Sequence, residues 1–385
     1  MNTQEKIWQR AALAARLMAV APSARKDAAL DEVARLLEKH SEEWRAAQFD
    51  DVTAACKAGR AAAITTQQEL ATAADDIFDL SLSAEPIGAS NGGTHTQNGT
   101  RLQTVKAPLG AVGILCGTRP LWVMRAVALA IKTGNAVVVG IDNDFGGAMQ
   151  LGVELWRQSL QKAGLPVDVV QATDAPADML TDGVPLKKLF VDDTYPLPLP
   201  ATRLPLTRVE QPRVTAYTDD TVAVERAVEW ALDWATASAA TAGELLLVNR
   251  HQATALLPLL KDAAADKKLT LTGCEQAAAM MNISTETDWL AAAPDRLRVR
   301  LVDSLNQALA LTQVCGQGHI AALLTDSCEA ARRFGVAAEA AVVATNVPLT
   351  AAQLCDGLCL GMGFGADNGP VGFDAFTVNK QTVSD

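Results

Sequence analysis

Apolar positions along this chain switch between two periods, and the switches mark the elements. From residue 4 to about 75 the sequence is Ala-rich, with Leu30, Val33 and Leu37 spaced to line one helical face. Ser41 and Thr66 stand where N-caps belong, and Glu69 completes a capping-box spacing with Thr66. The region is expected to be helical. Residues 88–99, rich in Gly, Ser and Asn, predict a loop, and 101–106 alternates as an exposed strand does.

Next come short apolar runs separated by helical stretches: strand 111–116, helix 120–133, strand 135–140, helix 146–163, strand 167–171 and strand 188–191. Strands buried on both faces and joined by crossover helices imply a parallel, doubly wound sheet. Between Tyr195 and Pro212 five of the chain's sixteen prolines predict a lapse of regular structure. A second α/β run follows: helix 222–236, strand 245–248, helix 251–264, a mixed region, strand 321–324, helix 328–335 and strand 341–344. The Gly-rich tail ends in a strand expected at 373–379.

Composition narrows the function. A chain of 385 residues with 49% hydrophobic content has material for two or three cores. The net charge of -11 and the absence of a basic run argue against nucleic acid as a partner. Glu5, Arg10 and Arg16 interrupt the first helix, and no apolar stretch reaches the roughly 20 residues of a membrane span. A cytoplasmic protein with no membrane contact is expected. Seven scattered cysteines without CxxC spacing predict reduced thiols, and four dispersed histidines predict no metal site.

Residues 107–140 carry a Pro-Leu-Gly turn, a strand, Arg119-Pro120 and Lys132-Thr-Gly-Asn-Ala136. In these motifs the chain resembles γ-glutamyl phosphate reductase (glutamate-5-semialdehyde dehydrogenase) of the aldehyde dehydrogenase superfamily. The likeness extends more thinly through 163–166, 244–248, His319, 330–334 and Asn346. It implies an α/β, aldehyde dehydrogenase-like fold with a Rossmann-like cofactor domain, a catalytic α/β domain and a small β oligomerisation element. The corresponding boundaries are 1–220, including an oligomerisation strand at 101–106; 221–345; and a return segment with the C-terminal oligomerisation strand, 346–385.

The resemblance further implies reduction of an acyl phosphate by NADPH through a cysteine thioester, as in proline biosynthesis, and three features can be sought. The nucleophile's position falls on Ala240, followed by Thr241, and no cysteine lies between Cys116 and Cys274. The Asn that would donate to the oxyanion after Arg119-Pro120 is Leu121; such a donor lowers a barrier by on the order of 3 kcal/mol. The Arg-Gly-Gly phosphate cradle is replaced after strand 188–191 by Asp192-Asp193, whose charges would repel a diphosphate.

Each remaining candidate has a plain structural alternative. Cys116 and Cys315 are fallback nucleophiles, and a packed apolar thiol is the simpler role for both. Arg119, Pro120 and Lys132 are residual cleft candidates for a small anionic ligand, although Lys132 also suits a helix C-terminus. His319 and Asn346 match substrate-pocket positions. The expectation is a reductase-like pseudoenzyme with no cofactor. It would work as a subunit of a homo- or hetero-oligomer, with a reductase or a glutamate kinase as partner. The alternatives are an acyl transferase that binds an acyl phosphate, or an active NADP-dependent dehydrogenase using Cys116 or Cys315.

Overall fold

The structure, a computed structural model, describes residues 3–57, 59, 62–95, 100–141, 146–181, 183–196, 199, 201–236, 245–290, 296–347, 354–355 and 357–384. The chain forms two compact units, residues 1–210 with 355–385 and residues 211–354.

The first unit opens with α1 (Thr3–Met18), α2 (Ser23–Lys39), α3 (Ser41–Lys57) and α4 (Gln67–Leu82). Leu30, Val33 and Leu37 are buried along one face of α2 as their spacing predicts. Thr66 and Glu69 form the expected reciprocal capping box at the start of α4, whereas Ser41 is the first residue of α3 itself. The stretch expected as a loop contains β1 (Ser90–His95), which pairs antiparallel with β2 (Arg101–Pro108). Main-chain pairing overrides composition here, because a ladder needs N–H and C=O groups rather than apolar side chains.

The sheet core follows: β3 (Ala111–Leu115), α5 (Pro120–Lys132), β4 (Ala136–Gly140), α6 (Gly147–Lys162), β5 (Val170–Thr173), β6 (Lys188–Asp192) and β7 (Leu206–Glu210). A short 3-10 turn at Val167–Val169 displaces β5 toward the C-terminus of its expected place. Pro205 and Pro212 flank β7 rather than interrupt it, so the proline-rich stretch still supplies a strand, which pairs parallel with β6.

In the second unit, β8 (Val214–Thr218) and α7 (Val224–Thr236) lead to β9 (Leu245–Asn249) and α8 (Arg250–Asp266). The mixed region resolves into β10 (Thr270–Gly273), α9 (Glu275–Met281), the two-residue β11 (Ser284–Thr285), β12 (Arg296–Val302) and α10 (Leu305–Gly316). Then come β13 (Ile320–Leu324), α11 (Cys328–Ala337) and β14 (Val342–Thr345). Its strands lie in the order β11-β10-β12-β9-β8-β13-β14, all parallel.

The chain returns to the first unit with β15 (Met362–Gly365), β16 (Gly369–Pro370) and β17 (Thr377–Ser384). The last strand begins later than expected, because residues 373–376 form a 3-10 turn that stacks Phe376 on Phe190 with ring centroids 4.1 Å apart. The first unit's main sheet runs β16-β15-β7-β6-β3-β4-β5, and β1-β2-β17 make a separate three-stranded sheet. Among the described residues no helix is long and apolar enough to cross a membrane.

Candidate functional site

In the first unit the chain runs from β3 to β4 and β5 on one side, then returns to place β6 on the other side of β3. Such a switch point opens a crevice at the carboxyl ends of the strands, where ligands of open α/β sheets bind. Two segments converge there, residues 116–119 leading into α5 and residues 192–195 following β6.

The crevice is closed by the chain's own groups. Gly117 N–H donates to Asp192 Oδ1 at 3.1 Å, and Thr118 N–H donates to Thr194 Oγ1 at 2.9 Å. Thr194 Oγ1 in turn donates to the Asp192 carboxylate, 2.7 Å from Oδ1 and 3.0 Å from Oδ2. Arg119 Nε donates to Asp192 Oδ2 at 2.7 Å, and its Nη2 pairs with Asp193 Oδ1. Position 117 must be glycine for this approach, since an added Cβ would lie 2.1 Å from Thr194 O. Main-chain N–H groups at a strand-to-helix turn are the donors that hold phosphates in nucleotide-binding folds. Here both carry internal oxygens.

Arg119 was expected to hold an anionic ligand, and its anions are Asp192 and Asp193. Burial works to lower its pKa, but the two carboxylates outweigh that and hold it above the ordinary value. The Asp192-Asp193 pair, expected to repel a phosphate, accepts from Gly117 N–H and from the Arg119 guanidinium. Cys116 is buried against this cluster, its thiol donating to Arg119 O at 3.3 Å. Burial, reinforced by the Asp192 charge, pushes its pKa well above the usual thiol range, so it stays protonated. Pro120 is the first residue of α5, where its missing N–H costs nothing, and Leu121 is buried in the hydrophobic core.

A second carboxylate repeats the arrangement at α6. Asp51 accepts from Gly147 N–H and Ala148 N–H, both at 2.9 Å, and so caps the helix from α3. Between these helix starts lies a cavity of about 10 Å³ lined by Gln48, Asp51, Gly117, Thr118 and Pro120. That is room for about one water.

Lys132, the other cationic candidate, lies at the far end of α5, roughly 20 Å from Arg119 at 1.5 Å rise per residue. Its buried Nζ pairs with Asp27 Oδ1 at 2.7 Å and donates to Ser83 O at 2.7 Å and Ser81 O at 3.3 Å. It ties α5 to α2 and to the end of α4, and takes no part in the Arg119 cluster.

The second unit has its own switch point, between β8 and β13, and it too is filled by an aspartate. Asp219 Oδ2 accepts from Thr325 Oγ1 at 2.7 Å and from Thr221 Oγ1 at 3.1 Å; Asn249 Nδ2 donates to the adjacent Tyr217 hydroxyl at 3.2 Å. Burial raises the Tyr217 pKa, so the phenol remains protonated. Asn346 belongs to this neighbourhood. Its φ of 59° is left-handed, and its amide brackets Thr325, accepting from Thr325 N–H and donating to Thr325 O, both at 2.8 Å.

His319 lies in the interior at the start of β13, with Nδ1 accepting from Arg213 N–H at 2.9 Å. Burial, helped by the Arg213 charge, lowers its pKa to about 4. Cys315 is buried at the end of α10, and burial raises its pKa. The substituted nucleophile position, Ala240, and its neighbours Ser238, Thr241 and Glu244 lie outside the described residues. Among the described residues no group of three His, Cys, Asp or Glu side chains is placed to hold a metal.

Sequence reasoning missed Gly117, Thr194, Asp51 and Asp219. A glycine between a strand and an Arg-Pro helix start was the available signal for the first. Thr194 and Asp219 each bond a residue two positions away, but their contacts to Thr118 and Thr325, like those of Asp51 to the start of α6, cross 76 or more residues.

Comparison with known proteins agrees with this architecture. Residues 2–181 match the aldehyde dehydrogenase family. The chain is 28% identical over 408 residues to the γ-glutamyl phosphate reductase of Serratia proteamaculans, covering 98% of this chain and 97% of that one. It is 29% identical over 413 residues to the enzyme of that name from Clavibacter michiganensis, covering 98% and 93%. The crystal structure of γ-glutamyl phosphate reductase from Thermotoga maritima superposes with a TM-score of 0.81 at 18% identity, covering 100% of this chain and 99% of that chain. A propionaldehyde dehydrogenase from Rhodopseudomonas palustris gives 0.69 at 13%, covering 100% and 97%.

Proposed function

The chain has the aldehyde dehydrogenase fold and a γ-glutamyl phosphate reductase-like sequence along nearly its whole length, and from this premise we propose that it is a non-catalytic subunit or regulatory partner in an oligomer. It does not carry out NADPH-dependent thioester reduction. The single observation that supports this reading most strongly is the self-occupied switch point. Asp192, Asp193 and Thr194 take the two main-chain donors and the guanidinium that an anion entering this switch point would meet. The residues present do not fit a dinucleotide at that crevice. Displacing Asp192 would leave a buried carboxylate to be resolvated, and an incoming phosphate would meet it as a like charge.

The chemistry of the remaining groups points the same way. Ala240 offers no nucleophile, Leu121 offers no hydrogen-bond donor, and the thiols of Cys116 and Cys315 are shifted away from the thiolate form. For a partner role the relevant feature is the sheet β1-β2-β17, in which β17 pairs on one side with β2 and ends the strand order. An edge of this kind is a template for pairing with another chain. That chain would be a second copy, a true reductase or a glutamate kinase.

Two measurements test the proposal. Phosphate-dependent oxidation of glutamate semialdehyde, followed by NADPH absorbance, is expected to show no turnover above a blank; steady turnover would overturn it. Sedimentation at micromolar concentration, alone and mixed with a reductase or kinase, is expected to give a species heavier than one chain. A lone monomer in every mixture would contradict the partner role.

A further inference from the structure

In the second unit β12 lies between β9 and β10, and the helices that follow those two strands, α8 and α9, pack on each other and on β12. Where α8 offers Ala253 and α9 offers Ala279, the side chains are too small to fill the space, and a groove of about 370 Å³ stays open. Its floor is apolar, since Ala253 and Leu301 are buried, and Met280 adds a partly exposed apolar wall. The volume falls in the lower part of the range of small-molecule sites, about 300–1,000 Å³.

The polar groups of the groove are donors. Asn249 caps α8 by accepting from His251 N–H at 3.0 Å, which sets Arg250 as the first residue of the helix. Arg250 donates from Nε to Asp303 and from Nη1 to Gln276 Oε1, so the guanidinium is held on two sides. Asp303 does not line the groove and orients the guanidinium from outside it. Among the described residues Arg250 Nη2, the Gln276 amide nitrogen and the Thr254 hydroxyl have no protein acceptor, and all three residues line the groove. An oxyanion accepts from each of these donors, and a planar guanidinium suits a carboxylate. The apolar floor is covered only by a ligand that also has an apolar body.

We propose that this groove binds a small carboxylic acid with a short apolar chain. The carboxylate meets Arg250, Gln276 and Thr254, and the chain lies on Ala253, Met280 and Leu301. The site is built entirely from the second unit, so it is independent of the closed crevice in the first.

The test is saturation-transfer NMR on the full chain with isocaproate as the probe, beside isocaproamide, which lacks the charge, and acetate, which lacks the apolar chain. Saturable binding of isocaproate is expected, with the amide and acetate each weaker by about tenfold or more. Arg250→Ala removes the guanidinium, and Ala279→Trp fills the groove while leaving the three donors in place. Each should weaken isocaproate by about tenfold or more. Both positions are exposed, so the urea unfolding midpoints of the variants should match that of the unsubstituted protein. Absence of saturable isocaproate binding would overturn the proposal. So would equal binding of the amide, or isocaproate binding unchanged in both variants.

Discussion

Asp192 has no exposed surface, and three donors, from Gly117, Thr194 and Arg119, take the place of water around its carboxylate. Removing one partner of a buried ion pair strands the other, at a cost of about 3–5 kcal/mol. Asp192→Ala should therefore lower stability by that order in urea unfolding, with Asp192→Asn in between because its amide oxygen still accepts. A loss under about 1 kcal/mol for the alanine variant would mean the cluster is not the anchor described here. His319 makes a separate prediction. Its folded pKa of about 4 lies below the ordinary value of about 6.5, so on acidification the unfolded chain takes up the proton first. Its contribution to stability is whole above pH 6.5, declines as pH falls and is lost below about 4, amounting to on the order of 3 kcal/mol. Denaturation of the protein and of His319→Gln at pH 7 and pH 4.5 should show a shallower acid loss in the variant. Parallel losses would contradict the assignment.

At the scale of elements, the capping box of α4 is local chemistry. Thr66→Ala should cost about 1 kcal/mol in the same unfolding measurement, and no change would place the helix start elsewhere. The box was legible in the sequence for that reason: Thr66 and Glu69 need only each other. The apolar strands β3, β4, β6, β9 and β13 were legible for a similar reason, since burial on both faces leaves an uninterrupted run. Strands β7 and β8 were not, because partners far along the chain help to define them; β1 was not, because its Ser, Asn and Gly residues carry no apolar period although its partner β2 follows directly. The candidate site divides in the same way. Its substitutions, Leu121 and Asp192-Asp193, could be read from the sequence. That Asp192 fills the anion position, rather than only repelling a ligand, depends on Gly117 and Arg119 some seventy residues earlier.

Across the whole molecule the two units repeat one solution. Each has a run of parallel strands whose order reverses, continued in the first unit by the antiparallel β15 and β16, and in each an aspartate, Asp192 or Asp219, sits at the switch point bound by threonine hydroxyls. A fold built to leave crevices at those places is preserved while the first unit's crevice is closed from within. Isothermal titration calorimetry with NADPH, run beside a working γ-glutamyl phosphate reductase, tests that closure most directly. The account predicts saturable binding for the working enzyme and no saturable heat for this chain up to millimolar NADPH. A micromolar dissociation constant for this chain would contradict it.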